Sequence, residues 1–209
     1  EAGGRDSLLA RMARPDEAGR IREAVVENLA RRGGADRIQF RRVRWDAALE
    51  GRRLDDVARE RGTDPVDEAL HIVREGGASI VSFNMNEEDV QTLMRQPWTM
   101  TASDGDLVPW QEGVPHPRSY GTFPWKIQHY VVEEGVVTVE EAVRSMTSLP
   151  ARVFRMADRG MVEPGRVADL VVFDLAALRS PATFTDPHQL AEGVVHLWVG
   201  GEPAIQDGD

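Results

Sequence analysis

One acidic residue, one arginine and a pair of aromatic rings, all in one short stretch, are the parts of this sequence best suited to chemistry. Asp104 sits in Thr101-Ala102-Ser103-Asp104-Gly105, led in by Gln96-Pro97-Trp98-Thr99-Met100. A Gly/Pro-rich loop follows and ends in His116-Pro117-Arg118-Ser119-Tyr120-Gly121-Thr122-Phe123-Pro124. A short strand over 98–102 is expected to deliver Asp104 to its C-terminal end, where α/β barrels and open α/β sheets carry catalytic groups. Ser-Asp-Gly is also a common turn tripeptide, since Asp and Gly suit turn dihedrals; the polar and aromatic loop behind it favours the functional reading. A carboxylate beside a divalent cation can take a proton from bound water while the metal lowers that water's pKa. Asp104 is therefore the candidate general base or metal-linked carboxylate.

His116-Pro117-Arg118 supplies the second candidate. An arginine on a loop near a catalytic carboxylate can hold a substrate carboxylate bidentately. It can equally pair with Asp104 or another acid, and spacing leaves both open. Tyr120 and Phe123 would line a pocket or enter the core. The histidines, His71, His116, His129, His188 and His196, are widely spaced and form no recognisable metal set. His71 and His129 read as helix residues with structural roles. No nucleophile elbow accompanies the serines, which leaves a serine hydrolase little support.

Composition narrows the partners. The 209 residues suffice for one large domain or two small ones, and 41% hydrophobic with 29% charged residues fits a globular protein. With 35 acidic and 25 basic residues the net charge is -10, which argues against nucleic acid as partner because phosphate backbones need a basic face. A small anion held by one or two arginines remains compatible. The chain has no cysteine, so disulfides, thiolate nucleophiles and cysteine zinc fingers are excluded within it. No long apolar run implies a membrane span and no signal-peptide pattern opens the chain, so a cytoplasmic location is expected. The polar opening Glu1-Ala2-Gly3-Gly4 does not read as the start of a fold, and the expectation is a fragment of something longer.

The elements that must position these residues alternate. Helix is expected over 5–33, with Ser7 capping a first short helix and Pro15 in the first turn of the next, ended by Gly33-Gly34. A strand over 37–43 follows, its Arg41, Arg42 and Arg44 reading as a solvated face. Two helices come next: one closed by Gly62, one started by Thr63-Asp64-Pro65 and stopped by Gly76-Gly77. The apolar run 78–83 suits a buried strand. Asn86 starts a short helix through Met94, with acidic residues at its positive end. Alternating strands and helices argue for a parallel α/β architecture. Beyond the loop, 119–132 reads as helix with Pro124 near its start, and Thr138-Val139-Glu140-Glu141 carries the capping-box pattern. From Asp158 the texture changes: strands over 168–174 and 194–199, and a hairpin through Gly200-Gly201, make 160–209 part of a small β subdomain.

Several segments, taken together, resemble a known family. They are Ser103-Asp104-Gly105, His116-Pro117-Arg118, Tyr120-Gly121-Thr122-Phe123-Pro124, Ala142-Val143-Arg144-Ser145-Met146-Thr147-Ser148-Leu149-Pro150-Ala151, Arg159-Gly160, Pro164-Gly165 and Ala168-Asp169-Leu170-Val171-Val172-Phe173-Asp174. In order and spacing they are similar to the C-terminal part of the N-acyl-D-amino-acid deacylases (D-aminoacylases) of the amidohydrolase superfamily. The match is clearest over 78–205; Leu54-Asp55-Asp56-Val57-Ala58 and Asp64-Pro65-Val66-Asp67 extend it more weakly.

The resemblance implies an α/β fold, the C-terminal part of a TIM-like (β/α)8 barrel with a small β-sandwich subdomain. Residues 1–159 would be a partial amidohydrolase barrel and 160–209 part of the sandwich. It implies zinc-dependent hydrolysis of an N-acyl-D-amino acid, with Asp104 accepting a proton from the metal-bound water and passing it to the leaving amine. Arg118 would bind the substrate carboxylate, with His116, Tyr120 and Ser103 alongside. The family's metal-binding histidines and its metal-ligand cysteine lie on earlier strands that this chain does not contain. Zinc is accordingly expected in the complete enzyme and not in this chain alone, Asp104 being the one metal-linked candidate here. Trp125 stands where that family often has arginine. The last strands of a barrel cannot close it and would leave an open sheet edge. Two other readings therefore stand beside the first: a non-catalytic module that pairs with a missing N-terminal half or with itself, and a different amidohydrolase such as a cyclic-amide hydrolase or a deaminase.

Overall fold

The computed structural model describes residues 3–208, so Glu1 and Ala2 of the polar opening lie outside the described residues. Gly3 and Gly4 do not stay outside the fold as that opening implied. Gly3 caps helix α1 (Gly4–Met12), which begins before Ser7. The chain divides into two compact units, Glu1–Asn84 with Glu112–Pro115, and Met85–Gln111 with His116–Asp209.

The first unit is built from helices around a short sheet. Helix α2 (Pro15–Arg31) starts with proline at its first turn, where the missing N–H costs nothing. Strand β1 (Ile38–Arg42) leads to α3 (Leu54–Arg61), stopped by Gly62 at φ 64°. Asp64 caps α4 (Pro65–Glu75) by accepting the Val66 and Asp67 N–H groups. Strand β2 (Ser79–Ser82) then pairs with β1 in antiparallel register, Phe40 opposite Ile80 and Ile38 opposite Ser82. This corrects the parallel expectation. A parallel pair needs a crossover that returns the chain to its starting end; here two helices intervene and the chain comes back the other way. Nor is β2 buried on both faces: Val81 is enclosed, Ile80 is 42% exposed. Ile38, Phe40, Val43, Leu49, Leu54, Val57 and Ile72 close one continuous core. His71 lies on α4, half exposed, edge-on to Trp45 and near Glu75.

The second unit opens with α5 (Glu87–Met94), capped by Asn86. The strand expected over 98–102 is absent: this segment is irregular. Its backbone has no neighbouring strand, and Thr101 N–H bonds instead to the Ser145 carbonyl of a helix. Helix α6 (Arg118–Trp125) starts at Arg118 and continues as a π-helical segment, Lys126–Glu133. Gly121, at φ −145°, breaks the regular geometry within α6; a Cβ there would fall 1.8 Å from Ser180 Oγ. Helix α7 (Val139–Met146) begins with the full capping box, Thr138 and Glu141 satisfying each other's backbone N–H. A short α8 (Ser148–Val153) follows. Strands β3 (Leu170–Phe173), β4 (Val194–Val199) and β5 (Glu202–Ile205) form one antiparallel sheet in that order. The Gly200-Gly201 hairpin joins β4 to β5 as its turn chemistry predicts. Among the described residues no helix is long and apolar enough to cross a membrane.

Candidate active site

The Asp104 loop is held by short-range chemistry first. Ser103 Oγ accepts the Gly105 N–H at 3.3 Å, and Asp104 takes φ 47°, a left-handed turn that Asp tolerates better than most residues. Glycine at 105 permits a tight approach: a Cβ would sit 3.0 Å from the Arg118 carbonyl and from Ser119 Cα, so the neighbouring backbone would have to shift. That close approach brings the Asp104 turn against the start of α6. The Arg118 guanidinium donates to Asp104 Oδ2 at 2.8 Å. Of the two partners left open for Arg118 by its spacing, the structure contains the carboxylate of Asp104. Both side chains remain accessible, Asp104 at 83%, so the pair adds little stability. Its value lies in placing a carboxylate and a guanidinium side by side at the surface.

The other expected residues divide between two groups. His116 Nδ1 accepts the Arg118 backbone N–H at 3.1 Å, and its ring meets Phe184 edge-on. His116, Ser103 and Arg118 line one cavity of about 780 Å³. Tyr120 turns elsewhere: its hydroxyl lies 2.7 Å from His188 Nδ1, and both rings pack on Trp110. Phe123 faces a separate apolar cleft of about 580 Å³ beside β3. His129 stacks on Trp125 and bonds Glu133, the structural role expected of it. That contact and Gln128 hold the Glu133 carboxyl below its usual range.

One residue that sequence reasoning passed over, Lys126, lines the larger cavity. Lys126, 6% exposed, donates to Thr101 Oγ1 at 2.6 Å and to Ser145 Oγ at 2.8 Å. Ser145 Oγ in turn donates to the Ala142 carbonyl. Burial pushes the Lys126 ammonium below the usual lysine value. The available signal was a lysine set among Phe123, Pro124, Trp125 and Ile127, an apolar stretch where a charge is out of place. Tyr130, on the same segment, reaches Glu87 at 3.4 Å; burial and that carboxylate push its phenol up to about 12.

A model of the amidohydrolase family matches residues 6–205 of this sequence. The chain belongs to the amidohydrolase family. Within that family, a D-aminoacylase of Alcaligenes xylosoxydans xylosoxydans is 42% identical over 159 residues, covering 76% of this chain and 32% of the relative. An N-acyl-D-glutamate deacylase of the same organism is 36% identical, covering 80% of this chain and 34% of the relative. Among solved structures, an N-acyl-D-glutamate deacylase of Bordetella Bronchiseptica superimposes with a TM-score of 0.76 at 32% identity, over 86% of this chain and 37% of that one. That protein was solved with zinc and a phosphonate inhibitor mimicking the reaction's tetrahedral intermediate. This amidohydrolase chain thus spans about a third of the length of the relatives it matches.

Among the described residues no three histidine, aspartate or glutamate side chains converge to hold a metal ion. Asp104, the one candidate ligand from the sequence, is engaged by Arg118. The described residues therefore do not by themselves fit a zinc site, which takes three or four protein ligands.

Proposed function

We propose that this chain is the C-terminal portion of a zinc-dependent hydrolase that cleaves the amide bond of N-acyl-D-amino acids. Residues 1–159 would belong to a TIM-like (β/α)8 barrel and 160–209 to an attached β-sandwich. The observation that carries the reading is the Asp104–Arg118 pair, formed at 2.8 Å in a chain whose relatives are D-amino-acid deacylases. Amide hydrolysis needs a group that takes a proton from the attacking water and later gives one to the departing nitrogen, since an amide anion is too basic to leave. An accessible carboxylate such as Asp104 can do both in turn. Arg118 has five donors and uses one on Asp104, so it can keep that carboxylate oriented while meeting the substrate carboxylate with the rest. Ser103 and His116, in the same cavity wall, would complete the contacts to the substrate; Tyr120 would act from beside them, through the position of His188.

In the complete, zinc-loaded enzyme, replacing Asp104 by Ala removes the proton carrier and should lower turnover of N-acyl-D-amino acids by about a hundred- to ten-thousand-fold, with the thermal transition unchanged. Turnover close to that of the parent would sink the role of Asp104. The alternative is a non-catalytic or assembly module: in the complete protein, stoichiometric zinc uptake together with turnover decides for the enzyme, and neither decides for the module.

A further inference from the structure

An ammonium group enclosed in protein is costly unless a carboxylate or a full set of hydrogen bonds compensates it. Lys126 has neither. Its recorded partners are the hydroxyls of Thr101 and Ser145, neutral dipoles, and they take two of its three protons. Burial lowers its pKa from the usual lysine value. The surroundings sharpen this. The chain carries 35 acidic residues, yet the described lining of the cavity contains Lys126, Arg118 and His116 and not one aspartate or glutamate. Much of the remaining wall is apolar, with Met94, Met100 and Trp125 among its side chains. Of the two cations, Arg118 already has a carboxylate in Asp104, and Lys126 has none. A cavity with apolar walls, two cations and no acid is complementary to an amphipathic anion.

We propose that Lys126 is a carboxylate-binding residue of this cavity, its third N–H meeting the carboxylate of a ligand whose apolar body lies on the Met94, Met100 and Trp125 wall. That the ligand is an N-acyl amino acid rests on the deacylase reading above; the anion site itself rests on the buried charge alone. Thr101 and Ser145 hold the ammonium in place, and through Thr101 the same group braces the segment that leads to Asp104.

The test is calorimetric binding of N-acetyl-D-leucine and of its uncharged counterpart N-acetyl-D-leucinamide, to the parent protein and to Lys126→Gln. Glutamine removes the charge and, although one atom shorter, keeps amide N–H donors for the Thr101 and Ser145 hydroxyls. The parent should bind the acid at least about tenfold more tightly than the amide, and Lys126→Gln should lose about that factor, the value of one charge-assisted hydrogen bond, keeping only the part of the preference that Arg118 supplies. If the variant keeps the parent's preference for the acid, Arg118 carries the recognition and the proposal falls. It falls also if the parent does not distinguish acid from amide or binds neither. A lysine that served only to hold Thr101 would weaken both ligands equally, which likewise overturns it. Lys126→Met, which removes the donor as well, repeats the comparison should the glutamine variant misfold, and the same outcomes apply. Acid binding that depends on Lys126, without any hydrolysis by the complete zinc-loaded enzyme, would leave the anion site standing and overturn the deacylase reading instead.

Discussion

Glu68 in the first unit and Lys126 in the second are enclosed to nearly the same degree, 1% and 6% exposed, but they are compensated differently. Glu68 receives the Arg61 guanidinium at 2.7 Å and the Thr63 hydroxyl at 3.0 Å, so its charge is answered within the turn between α3 and α4. Lys126 receives hydroxyls alone and borders a large cavity. The apolar side chains follow the same division. The first unit gathers seven buried residues into one core, whereas the buried cluster beside α7 in the second has three, Val136, Val137 and Ala142. Met85, Leu93, Trp98 and Met100 in that unit stay exposed. A region whose charges and apolar surface are satisfied internally is organised for stability. One that leaves a cation and apolar walls unsatisfied has kept capacity for a ligand.

The comparison is broken most forcefully at Arg61. Arg61→Ala strands the Glu68 carboxylate inside the first unit and should cost about 3–5 kcal/mol in denaturant unfolding, the usual penalty for orphaning a buried charge. A loss below about 1 kcal/mol, the scale of a surface pair, would mean that Glu68 is not a structural ion and that the contrast with Lys126 fails. A smaller effect is expected at Thr138, where the capping box of α7 ends with Ala substitution. About 1 kcal/mol should be lost, and ligand affinity should not change because Thr138 lies outside the cavity lining.

The smallest effect is confined to alkaline solution. The Tyr130 phenol is raised from 10.0 to about 12 in the folded protein by burial and by Glu87. Below pH 10 it is neutral in both folded and unfolded chains, and its contribution to stability is complete. Between pH 10 and about 12 the unfolded chain releases a proton that the folded one retains, so stability falls as pH rises through that window. Tyr130→Phe should remove that part of the fall. Parallel stability–pH curves for the two proteins above pH 10 would contradict the shift.

Much of the local structure was legible in the residues. Asp64, Asn86 and the Thr138–Glu141 box cap the helices they were expected to cap, and Gly62 and Gly200-Gly201 end a helix and turn a hairpin. These features are hydrogen bonds or dihedral requirements spanning a few residues, so the residue types nearly dictate them. Asp104 and Arg118 were singled out as a possible pair, and they are one. The strand over 98–102 failed because its apolar pattern found no neighbouring backbone: Thr101 bonds to a helix carbonyl instead. Tyr120 and Phe123, read from the sequence as pocket-lining or core, take different surroundings, with Gly121 departing from helical geometry between them.

The sequence by itself determined the family motifs, the positions of caps and turns, and the acidic, cysteine-free character that excludes thiolate chemistry from this chain's own side chains and disfavours nucleic acid. Only the tertiary structure decided that β1 and β2 run antiparallel, that Gly105 lets the Asp104 turn approach Arg118, and that Lys126 meets Thr101 and Ser145 beside a cavity without an acid in its described lining. The physical reason is range. Capping and turn formation act within about four residues along the chain. Strand direction, close backbone approach and the compensation of a buried charge depend on groups that meet only after the chain has folded.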